Sequence, residues 1–101
     1  MNYQIDLSPD AQKTIRRLPG NVRQRIRRAI QDLAQEPRPP YSKQLDFALE
    51  FGEPRRLRLD RWRIIYVIIN VNVNLVAVVA IRKRPPYDYT DLDQLFADIF
   101  D

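Results

Sequence analysis

The chain of 101 residues contains no cysteine, no histidine and only two glycines, Gly20 and Gly52. Without cysteine there is no disulfide framework and no thiolate chemistry. Without histidine, the usual neutral-pH acid–base group and the commonest metal ligand are missing. Two isolated glycines exclude a phosphate-cradling glycine loop, and the scattered aspartates lack calcium-loop spacing. We therefore expect no metal and no cofactor.

Lysine is also scarce. The only lysines are Lys13, Lys43 and Lys83, so 14 of the 17 basic residues are arginines, and the net charge is +4. The guanidinium group is a planar, permanently charged fork that binds phosphate through two hydrogen bonds. This bias favours a nucleic-acid partner, although arginine-rich surfaces also serve solubility and protein partners.

Long hydrophobic runs are missing. The runs at residues 64–69 and 75–81 are far too short to cross a membrane. Residues 1–6 have no charged-then-apolar signal pattern. We expect a single domain over residues 1–101 that works in the cytoplasm without contacting a membrane.

The hydrophobic periodicity predicts the order β-α-α-β-β-β-α. After a first strand, Ser8-Pro9-Asp10 is typical of a helix start, Pro19-Gly20 of its end, and Asn21 of the next cap. The expected elements are a helical hairpin (9–36), an irregular segment (37–54), a mainly antiparallel sheet core (55–84) and an acidic helix (about 90–100). Packing the hairpin on one sheet face gives an α+β domain whose other face is open and concave.

Two arginine clusters lie in the predicted sheet. One contains Arg55, Arg56, Arg58, Arg61 and Arg63, and the other is Arg82-Lys83-Arg84. Arg56 and Arg58 share a face because they are two residues apart on a strand. The clusters predict a phosphate-binding patch on the open face; the alternative is a charged sheet edge that discourages aggregation. The cations of the helical hairpin are better explained as the solvated face of amphipathic helices.

Aromatic residues divide into two groups. Trp62 and Tyr66 are predicted to lie in the core. Tyr87 and Tyr89 follow the rigid Pro85-Pro86 pair near the basic cluster, where they can stack on a base, transfer a proton or simply pack. Residues 85–101 carry five aspartates and no cation, so this tail either folds back over the arginines or packs at the domain edge.

The stretch Arg56–Tyr66, RLRLDRWRIIY, resembles the signature of RelE/ParE-type toxins. The flanking Leu18-Pro19, Pro37-Arg38-Pro39 and Lys43-Gln44-Leu45 agree with it. The resemblance implies a toxin of a type II toxin–antitoxin system, blocked by an antitoxin of the RelB/Phd type or similar. RelE-like members enter the ribosomal A site, contact rRNA and cut mRNA without a metal. Operator DNA is bound only through the antitoxin complex.

The resemblance also implies roles for individual residues. Arg63 matches an arginine that stabilises the scissile phosphate, and Arg84 one that stabilises or protonates the leaving oxygen. Arg56 and Arg58 stand where RelE has two lysines, and Tyr89 or Tyr87 lies near a catalytic tyrosine. The other members of the two basic clusters, independently of the resemblance, are expected to contact RNA: Arg55, Arg61, Arg82 and Lys83. The alternatives are a ParE-like DNA gyrase poison without nuclease activity and a degenerate member that only binds its antitoxin.

Overall fold

The computed structural model describes residues 2–47 and 49–83. Its elements are β1 (Gln4–Leu7), α1 (Pro9–Arg17), α2 (Gly20–Asp32), β2 (Ser42–Gln44), β3 (Glu53–Leu59), β4 (Trp62–Ile69) and β5 (Leu75–Lys83). The strands form one sheet in the order β1-β5-β4-β3-β2. Strand β1 is parallel to β5, and the remaining neighbours are antiparallel. The α+β prediction is confirmed; the predicted helix at about 90–100 lies outside the described residues.

Helix α1 begins as its sequence predicts. The Ser8 hydroxyl accepts a hydrogen bond of 3.0 Å from the Ala11 backbone amide, and Pro9 and Asp10 occupy the first turn. At the other end, Arg23 from α2 donates to the carbonyls of Ile15 (3.2 Å) and Leu18 (2.8 Å). Arg23 therefore satisfies carbonyls at the end of α1, which accounts for one cation of the hairpin in structural terms.

Helix α2 differs from its predicted limits. It begins at Gly20, behind Pro19 and without a side-chain cap, where Asn21 was expected to cap it. It ends at Asp32, before the predicted limit at Glu36. The amides of Leu33 and Ala34 donate to carbonyls three residues earlier, so the last turn has 3₁₀ hydrogen bonding. Pro37 then prevents the helix from continuing.

The segment 37–54 is not wholly irregular. Strand β2 lies within it and pairs with β3 at the sheet edge, so four strands follow the helices and not three. Strand β3 also begins at Glu53, two residues before the predicted sheet core. Three residues are too short to show a period, so a strand of this length is defined by its partner and not by its own sequence.

The main core lies between the helices and the sheet. Ala11, Ile15, Ile26 and Ile30 pack there with inward-facing residues of the strands. Tyr66 is fully buried in this core, as predicted, and its hydroxyl donates to the Pro37 carbonyl at 2.7 Å. Trp62, also predicted to be core, is only partly buried at the margin.

The face opposite the helices is partly covered, which corrects the expectation of an open face. Ile65, Val67, Val79 and Ala80 form a second buried cluster, and Leu45, Phe47, Leu49 and Ile69 pack on it. The central strands are apolar on both faces, so the apolar part of this face must also be buried, here by the segment before β3. A side chain at Gly52 would collide with a Val67 methyl group, so glycine is required in the covering segment.

Candidate nucleic-acid interface

Three arginines from three neighbouring strands lie side by side on the face opposite the helices. Arg58 of β3 pairs directly with Arg63 of β4, and Arg63 pairs with Arg82 of β5. Paired residues on antiparallel strands share a face. Their neighbours Leu57 and Ile64 point the other way, into the helix-side core. We call Arg58, Arg63 and Arg82 the arginine row.

The members of the arginine row differ in exposure. Arg58 is exposed, whereas Arg63 is only 3% exposed. Arg63 Nη1 donates to the carbonyls of Asp60 and Trp62, each at 2.9 Å. Asp60 forms the β3–β4 turn with a φ of 53°, a left-handed conformation that aspartate tolerates better than most residues. Arg63 therefore holds a positive charge beside Arg58 and also stabilises this turn.

The third member of the row is paired with an acidic residue. Arg82 Nη1 lies 2.9 Å from Asp10 Oδ1, and both side chains are partly exposed. Asp10 lies in the first turn of α1. The Ser8 hydroxyl links the start of this helix to β5 by donating to the Val79 carbonyl. One end of the arginine row is therefore partly neutralised, whereas Arg58 at the β3 end is exposed.

A second pair of cations lies beside the row. Lys43 of β2 pairs with Arg56 of β3, and Arg56 pairs with Ile65, so both share the face of Arg58. Lys43 is exposed. Arg56 is half-buried, and its Nε–H is buried and has no hydrogen-bond partner among the described residues. A buried donor of this kind costs about 1–3 kcal/mol until an acceptor reaches it.

Arg55 lies on the other face of β3. Its guanidinium bonds Glu53 Oε2 at 2.8 Å and Ser42 Oγ at 2.9 Å. Arg38 approaches the same carboxylate from the loop after α2, with its Nε 3.0 Å from Oε2. The hydrogen bond from Arg38, aided by Arg55, holds the pKa of Glu53 below its ordinary value. Arg55 is therefore part of an ion-pair network that joins the sheet edge to the loop.

The sequence of residues 5–85 matches the model of a family described as the ParE toxin of type II toxin–antitoxin systems. The chain belongs to this family. The RelE/ParE resemblance is thereby confirmed, and the chain is a toxin of a type II toxin–antitoxin system. A search of curated proteins finds no match.

Solved structures share the fold of this toxin. The archaeal RelE–RelB complex from Pyrococcus horikoshii matches with a TM-score of 0.74 and 21% identity, over 86% of this chain and all of that one. The RelBE2 complex of Mycobacterium tuberculosis gives 0.68 and 20%, over 83% and 100%. The isolated Escherichia coli RelE toxin gives 0.63 and 22%, over 96% and 98%. At these identities the likeness establishes the fold.

Two of the remaining predicted site residues, Arg61 and Lys83, are described and are not part of the arginine row. Arg61 is exposed in the β3–β4 turn. Lys83 pairs with Trp62 and places its ammonium 5.9 Å from the ring centroid, a cation–π contact on the sheet face opposite the row. Arg84, Tyr87 and Tyr89 lie outside the described residues. The roles assigned to all of these residues stay predictions.

Two residues on the arginine face were not singled out from the sequence. Lys43 and the neighbouring Tyr41 reach this face only because β2 pairs with β3. The available signal was the alternation of Tyr41, Lys43 and Leu45, which places three side chains on one face if the segment is extended. Within residues 2–47 and 49–83, no acidic cluster is arranged to hold a metal ion. In the same residues, no helix has the length and apolar character of a membrane span.

The Glu53 network predicts a pH-dependent contribution to the toxin's stability. Because folding lowers the pKa of Glu53, its carboxylate stabilises the fold above its ordinary pKa, and the contribution is lost as the pH falls through the folded pKa. We expect Glu53→Gln to lower the free energy of unfolding by about 1–2 kcal/mol at neutral pH, since Arg55 is left half-buried without its carboxylate. Urea titrations near pH 7 and pH 3 should show a smaller difference at the lower pH.

The control for this experiment is Glu50→Gln, which removes the same charge from an exposed loop position. It should leave the unfolding free energy unchanged at both pH values. A loss of stability in Glu53→Gln that is equal at both pH values would mean that packing, and not the ion pairs, accounts for the effect.

Proposed function

We propose that this toxin is a ribosome-dependent mRNA endonuclease that needs no metal and inhibits translation in the cytoplasm. The observation that carries the proposal is the arginine row, with Arg56 and Lys43 beside it on the same face. Its cations come from adjacent strands, which lie about 4.8 Å apart. A single-stranded RNA backbone laid across the strands meets one cation after another.

The proposed reaction is transfer within the RNA. The ribose 2′-hydroxyl attacks the adjacent phosphorus, the bond to the 5′-oxygen breaks, and the products are a 2′,3′-cyclic phosphate and a 5′-hydroxyl. Negative charge builds up on the phosphoryl oxygens, and pre-placed donors stabilise such charge most where water is excluded. In this proposal Arg58 contacts the phosphate, and Arg63 beside it adds a positive charge that water screens poorly. The buried Nε–H of Arg56 donates to a phosphate oxygen.

Proton transfer defines the remaining roles. Arginine does not deprotonate in proteins, so Arg56 and Arg58 cannot take the 2′-hydroxyl proton. In this proposal the proton goes to Tyr89 or Tyr87, to water or to the phosphate itself, and Arg84 assists the leaving oxygen. Geometry and electrostatics then supply most of the acceleration.

The proposal includes a cognate antitoxin of the RelB/Phd type or similar. Two of the structures that share the fold are described as toxin–antitoxin complexes of RelE with RelB and of RelBE2. Operator DNA is then contacted through that complex, and mRNA and rRNA are the partners of the free toxin.

A second candidate function is poisoning of DNA gyrase without any nuclease activity. It is favoured by the burial of Arg63, whose guanidinium is engaged with the carbonyls of Asp60 and Trp62. It also agrees with the ParE description of the matched family. A gyrase poison needs a docking surface but no exposed phosphate-stabilising centre.

One experiment separates the two functions. Purified toxin is added to ribosomes translating a defined mRNA, the 5′ ends are mapped, and gyrase–DNA cleavage complexes are measured in parallel. Cuts within the A-site codon that are lost in Arg63→Ala support the proposed function. Intact mRNA together with stalled gyrase–DNA complexes supports the second candidate.

A further inference from the structure

Tyr41 occupies a defined position at the edge of the sheet. The Ser42 amide and hydroxyl both bond the Pro39 carbonyl, at 2.9 and 2.7 Å, and so close a turn that contains Pro40 and Tyr41. The Arg58 amide donates to the Tyr41 carbonyl at 3.4 Å. This bond extends the β2–β3 pairing by one position beyond Ser42–Leu57 and sets Tyr41 directly opposite Arg58.

The pairing also determines the face on which Tyr41 lies. Leu45 packs on the cluster opposite the helices, and Lys43 shares a face with Arg56. Ser42 points to the other side, where it bonds Arg55. Alternation along the segment therefore assigns Tyr41 to the face of the arginine row, beyond Arg58. Tyr41 is 54% exposed there.

We propose that Tyr41 is a positioning residue that stacks on a base of the single-stranded RNA whose phosphate the arginine row binds. This inference rests on the proposed function and adds a base contact to it. An aromatic ring offers a flat surface to any base, so stacking holds a strand without selecting its sequence. The turn behind Pro39 and Pro40 fixes the backbone, so little conformational freedom is lost when the ring engages a base.

The geometry links the two contacts. Adjacent strands are about 4.8 Å apart, so Tyr41, Arg58 and Arg63 follow one another across about 10 Å of the sheet. A base held by Tyr41 and a phosphate held by Arg58 therefore belong to the same or adjacent nucleotides. Stacking at the outer end fixes which phosphate of the strand lies over Arg63.

The test uses RNA that carries 2-aminopurine, whose fluorescence is quenched by stacking. The full-length toxin, Tyr41→Phe and Tyr41→Ala are titrated with a labelled RNA hexamer and with ribosomes that hold the label in the A-site codon. We expect Tyr41→Phe to quench and bind like the wild type. We expect Tyr41→Ala to bind about tenfold more weakly and to lose the quenching.

Two controls complete the design. Phe51→Ala removes an aromatic ring of similar exposure (53%) away from the row and should leave binding unchanged. Arg58→Ala should weaken binding at every position of the label. If Arg58→Ala weakens binding and Tyr41→Ala does not, the stacking inference is wrong and the proposed function stands. If the wild type binds neither RNA nor ribosomes, both are wrong.

Discussion

Replacing Arg58 with alanine is expected to reduce A-site mRNA cleavage about 100-fold and to leave the stability of the toxin almost unchanged. Arg58 is the exposed member of the arginine row, and its side chain has no bond to another described residue that the substitution would break. The lost rate reflects the loss of a bidentate donor from the phosphate. Cleavage rates on programmed ribosomes and urea unfolding of the same preparations measure the two quantities.

Two further variants make this result specific to the row. Arg17→Ala removes the same charge from an exposed position on α1 and should change cleavage by less than about threefold, since long-range steering alone is affected. Arg58→Lys keeps the charge and loses the fork, so we expect intermediate activity. Equal losses in Arg17→Ala and Arg58→Ala would show that net charge, and not the row, determines activity.

The helices were predictable because their signals are local. The Ser8 cap, Pro9 and the i, i+4, i+7 spacing of Ala11, Ile15 and Leu18 all lie within eleven residues of one another, and the structure agrees with each. The end of α2 was less accessible, because it depends on how the chain turns toward Pro37 and then into β2. Strand β2 is defined by its pairing with β3, and the sequence of one segment does not indicate which strand it will pair with.

The alternation of side chains along β3 predicts on which face each of its arginines lies. It correctly placed Arg56 and Arg58 on one face. The same rule places Arg55 on the other face, where it bonds Glu53 and Ser42. The basic cluster in the sequence predicts an RNA contact for Arg55 as well. Whether Arg55 also touches RNA stays a prediction.

The register of the strands and the burial of Arg63 could not be predicted from the sequence. The alignment of Arg58, Arg63 and Arg82 in one row depends on the two-residue β3–β4 turn and on an irregularity after Ile65 in the β4–β5 pairing. No local pattern states where such an irregularity falls. The placement of the Arg63 guanidinium also depends on this turn, since it donates to the Asp60 carbonyl there and to the Trp62 carbonyl at the start of β4.

Arg63→Ala is expected to reduce cleavage by about 100- to 1000-fold and also to lower the free energy of unfolding by about 2 kcal/mol. The first effect follows from removing a buried charge at the centre of the row, where water screens it least. The second follows from removing the hydrogen bonds to the Asp60 and Trp62 carbonyls. Cleavage should be measured well below the melting temperature, with the folded fraction checked by near-ultraviolet circular dichroism.

Arg25→Ala separates the two roles of Arg63. Arg25 on α2 holds the same turn by pairing with the Asp60 carboxylate, but it lies outside the row and is exposed. Its loss should lower the unfolding free energy by less than about 1 kcal/mol and leave cleavage intact. If folded Arg63→Ala cleaves mRNA like the wild type, the row is not the phosphate site. In that case the burial of Arg63 has only a structural meaning, and mRNA cleavage depends on residues outside the row.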